Sequence, residues 1–213
     1  IPIFIPHAGC PHDCVFCNQK KISGHSGRPK VKAEIEKALE ILEPAGVKPQ
    51  VAFYGGSFTA IPEGEQVELL KEALPFVEKN RVCSLRVSTR PDCIDEDVIR
   101  RLKKYKVETV ELGAQSMDDR VLKASKRGHT AADTVKAAKA LKENGFELVL
   151  QLMTGLPGDA GRESVLSAEK IIDLKPDAVR IYPAAVLPDT ELEDMWRGGE
   201  YTPQSVEEAV ELC

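Results

Sequence analysis

The sequence predicts an α/β fold: a partial (β/α)6 TIM-like barrel, with a parallel sheet open on one side. Three observations predict it. Strand-like apolar runs alternate with amphipathic helical stretches six times along the chain, the pattern of a parallel sheet with right-handed crossovers. Six units are too few for the eight of a closed barrel. The strands are short and apolar, as expected where both faces of a sheet are covered.

Each element has its own signal. Ile3–Pro6 is the first strand. Val31–Leu42 carries Ile35, Ala38, Leu39 and Leu42 at helical spacing, with Pro44 and Gly46 as stop signals. Val51–Tyr54 is the second strand and Glu63–Val77 the second helix. Ser84–Ser88 is the third strand, followed by a helix from about Asp95 to Lys104. Thr109–Leu112 is the fourth strand, with helical stretches at Asp118–Lys123 and Ala131–Asn144, the latter ended by Gly145. Leu148–Met153 and Glu163–Leu174 form the fifth unit. Ala178–Tyr182 is the sixth strand, and Asp189–Trp196 and Gln204–Leu212 read as helices. No internal linker is visible, so residues 1–213 read as one core domain.

A chain of 213 residues is long enough to bury a core without staples. Its apolar runs are too short to span a membrane, and no signal peptide is visible, so it reads as cytoplasmic. It begins within a strand-like run at Ile1 and stops within a helix-like one at Cys213, so we expect a fragment of a longer protein. Acidic residues exceed basic ones, and the net charge of −5 argues against a dedicated nucleic-acid-binding domain. Two local basic clusters stand out. One is Lys20, Lys21, Arg28, Lys30 and Lys32; the other is Arg100, Arg101, Lys103, Lys104 and Lys106. Either a solvated face or a phosphate contact explains them.

Three of the six cysteines are crowded into Cys10-Pro-His-Asp-Cys14-Val-Phe-Cys17, a CxxxCxxC spacing just after the first strand. Even cysteine counts suit disulfides in small secreted domains, which this chain does not resemble. Three close thiolates can hold three corners of a 4Fe–4S cube and leave one iron open. A zinc site is the alternative, with His7, His12 or Asp13 as fourth ligand. Cys83 and Cys93 read as ordinary packed cysteines, and His25 as exposed in a polar loop. In parallel α/β folds, ligands gather where strands end, and the remaining motifs lie there or, for Arg127-Gly-His129-Thr130, just after the helical stretch that follows the fourth strand. They are Gly55-Gly56-Ser57, Ser88-Thr89-Arg90-Pro91-Asp92, Gly113-Ala-Gln115, Arg127-Gly-His129-Thr130, Gln151-Leu-Met-Thr-Gly155-Leu-Pro157-Gly158 and Ile181-Tyr182-Pro183. Read alone, Gly-Gly is a turn, Arg90 with Asp92 is a structural turn and Arg127 is a solvated charge. Thr130 is a helix cap, and Tyr182 packs in a core.

CxxxCx(aromatic)C after a first barrel strand, with Phe16 before the third cysteine, resembles the signature of the radical S-adenosylmethionine (SAM) superfamily. The resemblance covers the whole chain. It implies a 4Fe–4S cluster on Cys10, Cys14 and Cys17, SAM chelated to the open iron, and reductive cleavage of SAM to methionine and a 5′-deoxyadenosyl radical. It also implies a low-potential electron donor, a flavodoxin or ferredoxin. The expected SAM contacts are Phe16, Gly55, Gly56, Ser57, Ser88, Gln115, Arg127, Gln151, Gly155 and Tyr182. Ser57 and Ser88 stand where many relatives carry Glu, and Gln151 where they carry His or Asp.

Within the superfamily, the order Cys-Pro-x-x-Cys-x-Phe-Cys-Asn-Gln, Glu-Leu-Gly-x-Gln-Ser, Arg-Gly-His-Thr, Met-x-Gly-Leu-Pro-Gly and Ile-Tyr-Pro…Thr-Glu-Leu resembles the catalytic subunit of Elongator and its bacterial relatives. That family modifies wobble uridine in tRNA and joins this domain to an acetyltransferase. The resemblance therefore implies tRNA as a partner, with Lys20 and Lys21 as candidate contacts. The runner-up is an enzyme like oxygen-independent coproporphyrinogen oxidase; a non-catalytic iron–sulfur or zinc module is the reading from another class.

Overall fold

A computed structural model describes residues 1–5, 10, 12–18 and 27–213. His7, Lys20, Lys21 and His25 lie outside the described residues. Six strands form one sheet in the order β1 to β6: Pro2–Phe4, Val51–Tyr54, Leu85–Thr89, Val107–Gln115, Glu147–Thr154 and Ala178–Pro183. Every neighbouring pair is parallel. The order runs from β1 to β6 without β1 meeting β6, so the partial barrel is open as expected. Among the described residues the α-helices are α1 (Val31–Leu42), α2 (Glu63–Glu78), α3 (Glu96–Lys104), α4 (Asp119–Ala124), α5 (Ala131–Glu143), α6 (Arg162–Asp173), α7 (Glu191–Arg197) and α8 (Val206–Leu212).

Most element limits fall within a residue or two of the sequence reading. β4 is longer than Thr109–Leu112 because it pairs along its length with both β3 and β5. α7 and α8 start later than expected. Thr190 and Ser205 stand before them in extended backbone, and their side chains accept from Glu193 N and Glu208 N as N-caps.

The apolar core lies on the outer side of the sheet, between strands and helices. Leu85, Val87, Val110, Leu112, Leu148 and Leu150 pack there against Ile35, Leu39, Leu70, Leu102 and Leu141. Because strand side chains alternate, the other residues of β3, β4 and β5 face the lumen: Arg86, Ser88, Thr109, Glu111, Gly113 and Gln151. This corrects the expectation of apolar strands covered on both faces. The lumen is largely polar, and several of its groups bond one another: Gln50 donates to Ser84 and Thr109, and Arg86 to Glu111. β6, at the edge, has Val179, Ile181 and Tyr182 exposed.

Candidate active site

The cysteine loop is held from two sides. Val15 N donates to Ser125 O and Val15 O accepts from Leu192 N, while Asn18 Nδ2 donates to the carbonyls of Pro188 and Asp189. Val15 packs with Leu192 and Tyr201, and Phe16 rests against that cluster and against Val121, Leu156 and Ala184. Within the loop, Cys17 N donates to Cys14 O at 3.0 Å, a tight turn that brings the last two cysteines together.

The loop closes over a cavity of about 180 Å³ at the C-terminal ends of the strands. Cys10, Cys14 and Cys17 all line it, together with His12, Asp13 and Phe16. Gly55, Gly56 and Ser57 enter from the end of β2, and Ser88 and Thr89 from β3. β4 supplies Gly113 and Gln115, β5 supplies Gln151, and the turn after α4 supplies Arg127. Residues far apart in sequence thus share one cavity. Gly155 and Tyr182 do not line it. Gly155 instead lies under the chain that follows α7: its carbonyl accepts from Tyr201 Oη at 2.6 Å, and a Cβ there would come within 2.5 Å of Gln204.

The cavity wall is tightly set. Gly55 has φ 111°, and a Cβ on it would lie 2.6 Å from Ile5 O; this is backbone that only glycine fits. Gln115 has φ 67°. A non-glycine residue there costs of order 1–3 kcal/mol, and the irregular register between Gly113 and Gln115 is the strand-level sign of that bend. Gln151 Nε2 donates to Gln115 Oε1 at 3.1 Å, so the two amides are oriented together.

Two buried arginines stand behind the thiols. Arg127 donates to Cys14 Sγ at 3.4 Å and to Gly113 O at 2.9 Å, so its side chain is not the solvated charge the sequence allowed. Arg90 is fully buried. It grips Asp92 with two bonds of 2.9 and 3.1 Å and donates to Arg127 O. Burial works against its cation, but Asp92 and the nearby cysteines outweigh that and raise its pKa. His129 is pushed down to about 4, first by burial and then by Arg127 and Arg90. It is therefore neutral at pH 7, with Nε2 on Ala114 O at 3.2 Å. Sequence reasoning missed Arg90 as a buried group because local residue types show a turn but not what covers it.

The donor set fits an iron–sulfur cluster. Three thiols open onto one cavity, Cys10 Sγ lies 3.4 Å from Ser57 Oγ, and Arg127 Nε and Arg90 Nη1 are buried without partners among the described residues. Such cations favour thiolates and the negative charge of a thiolate-ligated cluster. Among the described residues, no three His, Cys, Asp or Glu side chains converge as a single ion requires. Mononuclear zinc needs that convergence, at about 2.0–2.3 Å, whereas cubane thiolates bind separate irons. Cys93 is half-buried, with its thiol pushed up mainly by burial. Cys83 is exposed rather than packed, because it lies in the bend before β3.

Comparison with known proteins agrees with this geometry. A model of the radical SAM superfamily matches residues 4–165, and one of the Radical_SAM C-terminal domain matches residues 176–213. The tRNA uridine(34) acetyltransferase of Methanocaldococcus jannaschii is 34% identical over 203 residues, covering 86% of this chain and 37% of the relative. That of Methanocaldococcus infernus is 30% identical over 255 residues, covering 100% of this chain and 48% of the relative. The solved structure of archaeal Methanocaldococcus infernus Elp3 with an N-terminal deletion matches with a TM-score of 0.81 and 28% identity, over 100% of this chain and 51% of that one. The chain thus spans less than half the length of these two curated relatives. With most of its length, cysteine loop included, matched by the family model, the chain belongs to the radical SAM superfamily.

Proposed function

We propose that the protein is a radical SAM enzyme of the Elongator type that acts on a uridine of tRNA, with residues 1–213 as its core domain. The observation that carries the enzymatic part is the single cavity shared by Cys10, Cys14, Cys17, the Gly55–Gly56 backbone, Gln115 and Arg127. The tRNA part is supported by the names of the two tRNA uridine(34) acetyltransferases, 34% and 30% identical over 86% and 100% of this chain.

When bound, the cluster and SAM would supply a 5′-deoxyadenosyl radical; the hard chemistry is the cofactor's. The chain's own groups position and shield. Cys10, Cys14 and Cys17 would hold the cluster. Gly55 and Gly56 offer backbone to the methionine end of SAM, Gln115 and Gln151 fix the cavity's amide wall, and Arg127 places a guanidinium fork beside Cys14. Phe16, packed between two apolar clusters, keeps water from the loop. The reading includes a flavodoxin or ferredoxin as electron donor and a cytoplasmic location. In the structure, no helix among the described residues is long and apolar enough to cross a membrane.

Anaerobic reconstitution tests this. The full-length protein with dithionite should convert SAM to 5′-deoxyadenosine, faster when tRNA is added. Absence of SAM cleavage would sink the enzymatic reading; cleavage that tRNA neither stimulates nor alters would remove the tRNA half alone.

A further inference from the structure

Next to the cysteine-lined cavity, and not part of it, the lumen holds a charged cluster. Glu111 on β4 is almost wholly buried. It accepts from Arg86 on β3 and from Arg180 on β6, the latter at 3.0 and 3.2 Å. Two guanidinium groups bracket one carboxylate, so the cluster carries a net positive charge. Tyr54 on β2 and Tyr182 on β6 flank it: the Arg180 guanidinium lies 5.8 Å from the Tyr54 ring centre and 5.0 Å from that of Tyr182. Arg86 lies 6.0 Å from the same Tyr54 ring.

The cluster adjoins the cavity by register. Tyr54 precedes Gly55, Glu111 pairs with Ser88, and Arg180 pairs with Gln151, and all three neighbours line the cavity. It also lies at the open side of the barrel, where Phe4, Arg180 and Tyr182 are each more than a third exposed. Tyr182 is partly exposed there and Tyr54 is half-buried, with the Arg180 guanidinium over both rings. Arg86 Nε is buried without a partner among the described residues, and a carboxylate with two oxygens accepts at about four sites. One donor and about one acceptor position are therefore left over beside the two tyrosines.

We propose that Arg86, Glu111, Arg180, Tyr54 and Tyr182 form a subsite for a uracil-type base; this rests on the tRNA-uridine reading above. The order guanidinium, carboxylate, guanidinium is donor, acceptor, donor, with Glu111 covered and Arg180 the member most open to solvent. The edge of uracil presents acceptor, donor, acceptor at O4, N3 and O2, its complement. Cytosine places an amino donor at position 4, where it meets a guanidinium and leaves buried groups unpaired, which is how polar sites reject near-isosteres. The Tyr182 ring and the Arg180 plane offer stacking, which suits a base taken out of its strand. A ring held by this edge turns its C5–C6 carbons away from the triad.

The test uses full-length reconstituted protein and two tRNA transcripts that differ only in U or C at the target position. The readout is the ratio of tRNA-stimulated 5′-deoxyadenosine formation with U to that with C. Each ratio is taken within one protein, so partial loss of cluster or SAM cancels. The wild type should favour U at least about tenfold, the scale of a lost charged hydrogen bond. Arg180→Ala should bring the ratio to within about threefold. Arg180→Lys, which keeps charge at a partly exposed position and loses only the fork, should do the same and guards against misfolding of the alanine variant. Variants that retain the wild-type ratio overturn the subsite and leave the tRNA reading standing. A wild type stimulated by neither transcript overturns both.

Discussion

At Gly55 the backbone has φ 111° and lies beside Ile5, the residue after β1, so any side chain there meets Ile5 O. Gly55→Ala should cost about 2–3 kcal/mol or more, combining backbone strain with a clash against main chain. For a chain of this size that lowers Tm by roughly 4–10 °C, measured by thermal denaturation of the anaerobic apoprotein; an unchanged Tm would show that β1 yields freely. His129 gives a pH-dependent prediction. Its folded-state value of about 4 lies below its ordinary 6.5, so the unfolded chain binds the extra proton between these values. Stability from this group is complete above about pH 6.5 and is lost as pH falls toward 4. His129→Gln should flatten that fall by on the order of 1–3 kcal/mol in urea titrations at pH 7 and pH 4.5. Equal pH slopes for variant and wild type would contradict a buried neutral imidazole. At the cluster, Cys10→Ala, Cys14→Ala or Cys17→Ala should abolish the roughly four iron and four sulfide per chain expected of one cubane. Cys83→Ala and Cys93→Ala should retain them, because neither thiol lines the cavity.

Among the elements, α5 shows how a cap and a site share one segment. Arg127, His129 and Thr130 follow one another closely, yet they face different tasks. Arg127 turns to Cys14, His129 to the end of β4, and Thr130 accepts from Asp133 N while Asp133 accepts from Thr130 N, a reciprocal capping box. Thr130→Ala should therefore cost about 1 kcal/mol and lower Tm by about 2–4 °C without reducing bound iron. Loss of iron in that variant would mean that the cap also sets the cysteine loop. β4 is the element on which the site turns. Its apolar Val110 and Leu112 are buried in the outer core, while Glu111, Gly113 and Gln115 belong to the lumen and the cavity.

Over the whole molecule, the apolar layer lies outside the sheet and the polar layer inside it, and β6 leaves both unfinished at one edge. Val179 and Ile181 are each 41% exposed. An exposed apolar edge strand is a template for self-association. Val179→Lys should raise the concentration at which this chain stays monodisperse in light scattering, with bound iron unchanged; equal aggregation would exonerate that edge. The basic clusters are more compensated than their composition suggests. Arg28 pairs with Glu68 and Glu72, Arg101 with Glu63, and Arg100 with Asp97.

Strand order, helix positions and the cysteine loop were legible in the sequence because each depends on local spacing: apolar periodicity, caps, and thiols three and four residues apart. Gly55 and Gly56 read alone as a turn after the second strand, and their place in the cavity comes with the structure. What only the tertiary structure decided is which polar residues are buried and what they meet. Arg127 is expected at the site only through the family resemblance, and Arg90 reads as part of a turn; the bond of Arg127 to Cys14 and the burial of Arg90 come with the fold. Arg86 and Arg180 stand 25 and 69 residues from Glu111 in the chain, and no short pattern joins them. Their meeting follows from the parallel register and from the alternation that sends their side chains into the lumen. Burial of a charge depends on that closure, because only there does a partner offset the loss of water.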